Sequence, residues 1–249
     1  MQHTISFGHY GHLVLHTPHA GTLLPIATGH PIPTMFKRKA ITGLHNVLCD
    51  HYTDTLFRSD EPAIVQISFP YSRLFCDVER LPGDPLEKQG LGICYDLTRF
   101  MPSEGPFWSM SREQAMALYS AHHKALSQAM GMGGLLIDCH SFSERDTILC
   151  KDAHTYKDID ICIGYNNGSS KPDQDTIDSI ALFFRQQGYR VALNKPFANA
   201  MVAADTRGHQ SIMIEVNKHC YMNEQTLEVT AGYDKLHAEL QQLYRMLRA

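Results

Sequence analysis

The sequence has no apolar run near the roughly 20 residues that a membrane-spanning helix needs. Charge is sparse at 19%, with 22 Lys and Arg against 26 Asp and Glu and a net charge of −4. That balance gives no electrostatic case for nucleic acid or for an anionic membrane surface. No Cys-x-x-Cys pair occurs, and the seven cysteines are an odd number. Reduced thiols in a cytoplasmic protein are therefore expected over a disulfide frame or a thiolate zinc site. The start, Met1-Gln2-His3-Thr4-Ile5-Ser6, has no basic stretch leading into an apolar one, so no signal peptide is expected. Repeats, low-complexity tracts and linkers are also missing, so residues 1–249 are read as one domain. What is present is an ordinary globular composition, 43% hydrophobic, which suits a full core.

Short apolar runs alternate with helical patterns along the chain. Strands are expected at Leu13 to Thr17, Ala63 to Ile67, Leu135 to Ser141, Ile159 to Gly164, Tyr189 to Leu193 and Gln210 to Asn217. Between them, apolar positions Ile41, Leu44, Leu48, Tyr52 and Leu56 predict one helix from about Lys37 to Phe57, with Asp50 and Asp54 a turn apart on it. Further helices are expected from Ser111, whose Ser-x-x-Gln spacing to Gln114 is a capping box, from Asp173 to Gln187 with Gly188 as its cap, and from Ala231 to Leu247. This alternation predicts an α/β fold, a mostly parallel or mixed twisted sheet with helices on both faces. Residues 81–106 are rich in Pro and Gly, and read as a lid or rim over a site or as a plain surface loop.

Several of these strands end in chemistry. Leu135-Leu136-Ile137 runs into Asp138-Cys139-His140-Ser141, and the first strand runs into Pro18-His19-Ala20-Gly21. In open α/β sheets the ligand crevice lies beyond the strands' carboxyl ends. Two His and one carboxylate with an open fourth position is the ligand set of a catalytic zinc site, and His19, Asp50 and His140 offer it. Such a site needs a base that is not a ligand. Glu215, inside the run Ile212-Met213-Ile214-Glu215-Val216, is the candidate, with a buried ion pair to Arg73, Arg80 or Lys218 as its structural alternative. Arg73 and Arg80 bring donors suited to a carboxylate or an oxyanion. Together they suggest hydrolysis of an amide in a small molecule that carries a carboxylate. No compact His-Glu-x-x-His motif is present.

Taken in order, Pro18-His19-Ala20-Gly21, Ser72-Arg73-Leu74 to Asp77-Val78-Glu79-Arg80, His123-Lys124-Ala125-Leu126, Ile137-Asp138-Cys139-His140-Ser141, Gly164, Asn194-Lys195-Pro196-Phe197 and Ile214-Glu215-Val216-Asn217 with Tyr221-Met222 resemble the N-formylglutamate amidohydrolase family. The family is similar, more distantly, to zinc carboxypeptidases and the aspartoacylase group, which implies an exopeptidase-like fold with one zinc or another divalent ion. The resemblance implies His19 and His140 as metal ligands, Glu215 as the group that activates water, Arg73 at the oxyanion, and Arg80 with Asn194 at the substrate carboxylate. Two positions depart from the pattern. Thr22 stands where the carboxypeptidase-like pattern has Glu, so the third ligand is assigned to Asp50, with Asp54 in reserve. Glu79 stands where the relatives have Asn, and would repel a carboxylate that Asn bonds. The implied activity is cleavage of an N-formyl amino acid such as N-formyl-L-glutamate, in amino acid and histidine degradation. A metallo-exopeptidase, another N-acyl amino acid deacylase, or an inactive ligand-binding relative are the alternatives. A homo-oligomer is compatible with the sequence.

Overall fold

The computed structural model describes residues 10–26, 35–100, 108–131, 134–146, 148–202 and 209–249. Residues 1–6, residues 101–106 of the expected rim loop and Gly133 before the central strand lie outside them. Packing divides the chain into two compact units, one of Met1–Thr17, Tyr52–Ile67 and Leu126–Ala249, the other of Pro18–His51 and Ser68–Ala125.

The α/β fold rests on a six-stranded sheet. Its strands are β1 (Leu13–Thr17), β2 (Ile64–Ser68), β3 (Leu135–Phe142), β4 (Ile161–Gly164), β5 (Val191–Leu193) and β6 (Gln210–Asn217), in the order β2-β1-β3-β6-β4-β5. β1, β3 and β6 run parallel; β4 is antiparallel to β6 and parallel to β5, so the sheet is mixed but mostly parallel.

Alternation along the strands sorts the side chains. Leu13, Leu15, Leu135, Ile137, Ile212, Ile214, Ile161 and Ile163 join one core with Ile177, Ile180 and Phe184 of α4 (Gln174–Gln186) and Leu236, Leu240 and Leu243 of α5 (Ala231–Arg248). Each such side chain, fully buried, contributes about 1.5–3 kcal/mol. The in-between residues face the other way. There Val14 and Leu136 meet Leu126 and Met130, from the end of α3 (Arg112–Met130), and Met201. Helices thus cover both faces of the sheet in the first unit, and His16, Asp138, His140 and Glu215 share the second face.

The expected helix from Lys37 to Phe57 is two helices, α1 (Met35–Leu48) and α2 (Thr53–Leu56). Tyr52 has φ 66°, a left-handed conformation that no right-handed helix can contain. The apolar spacing ran through the break because Ile41, Leu48 and Leu56 are all buried. Asp50 is therefore in the connection and not on a helix, whereas Asp54 is exposed on α2. The capping box at Ser111 is present, with Ser111 N donating to Gln114 Oε1 at 2.8 Å and Gln114 N to Ser111 Oγ at 3.3 Å.

Candidate active site

In the second unit the chemistry gathers around Asp77. Its Oδ2 accepts from Arg73 Nη2 at 2.9 Å, Arg73 Nε at 3.2 Å and Tyr95 Oη at 2.8 Å. Its Oδ1 lies 2.8 Å from His19 Nε2 and accepts from Glu79 N at 3.1 Å. Arg80 Nε is 3.8 Å from Oδ2 and, although buried, has no hydrogen-bond partner among the described residues. Burial would raise the Asp77 carboxyl pKa, but Arg73, then His19 and Arg80, outweigh it and hold the group well below the usual carboxylate range. Burial likewise works against the Arg73 charge, and Asp77 first, with Tyr95, Asp50 and Glu79 after it, more than restores it.

Local packing sets this arrangement. The segment 73–80 is a run of turns, fastened by Asp77 N to Ile93 O at 2.7 Å, by Tyr119 Oη to Arg80 O at 2.9 Å and by His123 Nε2 at 2.8 Å from Val78 O. His123 thus holds the Val78 carbonyl, with its ring plane at 81° to that of the neighbouring His122. The His19 turn lies against the backbone of Phe69–Tyr71, so a Cβ on Gly21 would sit 2.5 Å from Tyr71 O, and only glycine fits. Asp50 N donates to His19 O at 3.0 Å, and Asp50 Oδ2 lies 3.7 Å from His19 Nδ1. His19 therefore meets a buried carboxylate on each ring nitrogen. His19, Asp50, Arg73 and Arg80 all belong to this one cluster.

In the first unit, His140 and Glu215 are register partners on the central strands β3 and β6, and Cys162 is the partner of Glu215 on β4. Directly paired strands lie about 4.8 Å apart, so the His140 and Glu215 side chains stand next to each other on one face. His140 is 3% and Glu215 7% exposed, in keeping with a carboxylate set among apolar strands. Burial, then the Glu215 charge, pushes the Cys162 thiol up to about 12, which rules it out as a neutral-pH nucleophile. His140 Nε2 is 3.1 Å from Asp138 Oδ1. Asn194 follows β5 with φ 53°, and its Oδ1 accepts from Tyr165 N at 2.9 Å, so at least half of its amide serves a turn.

Sequence reasoning quoted Asp77 and Asp138 within motifs but gave neither a role, and it passed over Tyr95 and His16. Asp138 and His16 were within reach, since strand alternation puts Asp138 and His140 on one face. Asp77 and Tyr95 were not, because turns carry no period. A separate group in the first unit, Asp160, His219 and Cys220, also has metal-holding spacing. Both Asp160 oxygens accept from Arg190, at 2.8 Å and 2.9 Å, and that guanidinium would oppose a cation there.

For the metal the fit can be tested on donor chemistry. Metal-ligating imidazoles turn their second nitrogen to a carboxylate or carbonyl, which fixes the ring. His19 and His140 each have a buried carboxylate at Nε2, and Asp50 supplies a hard oxygen beside His19 Nδ1. These donors suit zinc or a similar divalent ion.

Comparisons with known proteins bear on the family and the fold. The family model of N-formylglutamate amidohydrolase matches residues 11–222. Curated protein sequences returned no match. The crystal structure of N-formylglutamate amidohydrolase from Ralstonia eutropha JMP134 is similar with a TM-score of 0.74 and 19% identity, over 97% of this chain and 93% of that one. A gene product from Agrobacterium tumefaciens is similar with a TM-score of 0.61 and 16% identity, over 96% and 92%. At such identities the two structures establish the α/β fold. The family match reaches across most of the chain, and the protein belongs to the N-formylglutamate amidohydrolase family, whose members hydrolyse amides.

Proposed function

We propose that the protein hydrolyses the amide of an N-acyl amino acid, with N-formyl-L-glutamate as the type substrate, releasing formate and the amino acid in the cytoplasm as a step of amino acid degradation. The observation that carries it is the in-register pair of His140 and Glu215 on neighbouring central strands, an imidazole and a carboxylate side by side at the strands' carboxyl ends. His19, Asp50 and His140 would hold one divalent ion, zinc in this proposal. When bound, such an ion supplies Lewis acidity that polarises the acyl carbonyl and acidifies the attacking water.

The chain's own groups do the rest. Glu215 takes a proton from the attacking water and returns it to the leaving amine as the C–N bond breaks. Arg73, fixed along its Nε and Nη2 by Asp77 and Tyr95, would offer Nη1 to the oxyanion that develops on the acyl oxygen. Arg80, whose buried Nε has no hydrogen-bond partner among the described residues, receives the amino acid carboxylate. Asn194 can assist only through Nδ2, since Tyr165 N occupies Oδ1. The test is Glu215→Gln: a protein that binds metal as before and loses turnover by at least about 10²-fold. Undiminished turnover removes Glu215 as the base.

Glu79 favours a second reading. Its carboxylate approaches His19 Nε2 at 3.6 Å and adds negative charge beside both arginines, which favours a deacylase whose substrate presents a donor or neutral side chain rather than a second carboxylate. Comparing N-formylglutamate, N-formyl amino acids with neutral and basic side chains, N-acetylaspartate and a dipeptide separates the two.

A further inference from the structure

The described part of the stretch read as a lid or rim, residues 81–100, is fastened down and carries one side chain into the arginine cluster of the second unit. Asp84 Oδ1 accepts from Leu86 N at 2.8 Å at the start of a 3-10 turn, Pro85–Gln89. Leu91 N and Asp96 N return to Leu86 O at 3.0 Å and Gly90 O at 2.8 Å, and Asp77 N ties the stretch to its own turn through Ile93 O at 2.7 Å. Two residues further on, Tyr95 is 6% exposed, against 5% for Arg73. The Tyr95 hydroxyl donates its one proton to Asp77 Oδ2 at 2.8 Å and accepts from Arg73 Nε at 3.1 Å. A guanidinium has no acceptor, so the direction of both bonds is fixed.

We propose that Tyr95 is the positioning residue for Arg73: its hydroxyl fixes the plane of the guanidinium. The Arg73–Asp77 pair is not a fork onto two oxygens. Arg73 Nε and Nη2 both donate to the single oxygen Oδ2, at 3.2 Å and 2.9 Å, while Oδ1 accepts from Glu79 N at 3.1 Å. Two parallel bonds onto two oxygens set the orientation of a guanidinium, whereas a single oxygen is a pivot about which its plane can turn. Tyr95 Oη supplies the second point. Oη, Oδ2 and Nε close a triangle with sides of 2.8 Å, 3.1 Å and 3.2 Å, and Nη1 stays outside it. Removing the hydroxyl opens the triangle and lets the guanidinium turn on Oδ2. That Nη1 meets an oxyanion rests on the proposed function; the fixed plane does not.

Arginine ¹H–¹⁵N spectra of the purified protein test the fixed plane without reference to activity. The Arg73 guanidinium is expected to turn slowly about Nε–Cζ and to give separate Nη1 and Nη2 signals, assigned through the Cζ correlations of the side chain. Merged signals in the parent overturn the inference, whatever becomes of any variant. In Tyr95→Phe, which keeps the ring and removes the hydroxyl, the two signals should merge while the circular dichroism spectrum is unchanged. Steady-state kinetics on N-formyl-L-glutamate are the second readout. In Tyr95→Phe, kcat is expected to fall about tenfold with KM within about twofold of the parent, because a misaimed group is lost to the transition state and not to substrate binding. Thr98→Val is the control: it cuts the 2.6 Å bond from Thr98 Oγ1 to Asp96 Oδ1 in the same stretch and leaves the Arg73 contacts intact. Its spectra and kcat should match the parent's, and an equal loss in both variants would make the effect one of loop loosening and overturn the inference. Separate signals that persist in a folded Tyr95→Phe protein contradict it, as does an unchanged kcat. Should the parent cleave no N-acyl amino acid, Arg73 loses its place at the oxyanion, and the guanidinium signals alone then decide the role of Tyr95.

Discussion

Replacing Asp77 by Asn probes the cluster on which the second unit's chemistry is hung. The two residues are nearly isosteric, so the change is electrostatic. In the parent, Oδ2 accepts three bonds, from Arg73 Nε, Arg73 Nη2 and Tyr95 Oη, while Oδ1 faces His19 Nε2 and Glu79 N. An amide has one acceptor and one NH₂, so whichever way it is placed, donors confront donors. Arg73 is 5% exposed and loses its counter-charge. Breaking a buried pair by removing one partner costs about 3–5 kcal/mol, and the surviving amide acceptor points to the lower end, about 3 kcal/mol. With a urea slope of about 3 kcal/mol per M, the unfolding midpoint should fall by about 1 M. Arg73→Met combined with Asp77→Asn should recover part of this, because the buried Arg73 charge is then removed together with its counter-ion. A loss below about 1 kcal/mol for Asp77→Asn, or a double variant no more stable than the single one, would refute the view of Asp77 as the buried counter-ion.

Elsewhere, Asp160→Asn should show a pH-dependent cost. Burial alone would raise the Asp160 pKa, but the bonds from Arg190 outweigh it and bring it from 3.8 to about 2. The lowered value stabilises the fold above about pH 4 and is lost as the pH falls toward 2, so parent and variant should differ by about 1 kcal/mol at pH 7 (discounted because Arg190 is half exposed) and converge near pH 2. Urea titrations at the two pH values check it; a constant gap speaks against the pair. Glu79→Gln should raise kcat/KM on N-formyl-L-glutamate about fivefold by removing a like charge beside Arg80. Steady-state assays decide, and a fall would mean that Glu79 contacts the substrate favourably. For Glu215→Gln, retained metal with turnover down at least about 10²-fold is expected, as set out above.

Most of the sheet was legible because its strands are short apolar runs between turn residues, and β6 falls on the expected residues Gln210–Asn217. The placement of Glu215 beside His140 follows from β3 and β6 lying in parallel register, which no single strand's pattern contains. The break at Tyr52 was hidden for a different reason: the helical spacing of Leu48, Tyr52 and Leu56 continues across a residue at φ 66°, and side-chain periodicity does not report backbone handedness. Asp50 thus sits beside His19 from the connection between α1 and α2, where a continuous helix was expected. Asp77 was opaque. Its role depends on Arg73, Tyr95 and His19 meeting at one carboxylate through turns. The partition into two compact units was equally hidden, because the second is made of two segments, Pro18–His51 and Ser68–Ala125, that are separate in the chain.

The most direct measurement is formate release from N-formyl-L-glutamate by the purified protein, before chelation, after it, and after one equivalent of Zn²⁺ is returned. Release that stops on chelation and comes back with a single equivalent is the expected result. Unaltered release from protein shown by elemental analysis to hold no metal would contradict the metal-assisted hydrolysis proposed for His19, Asp50, His140 and Glu215.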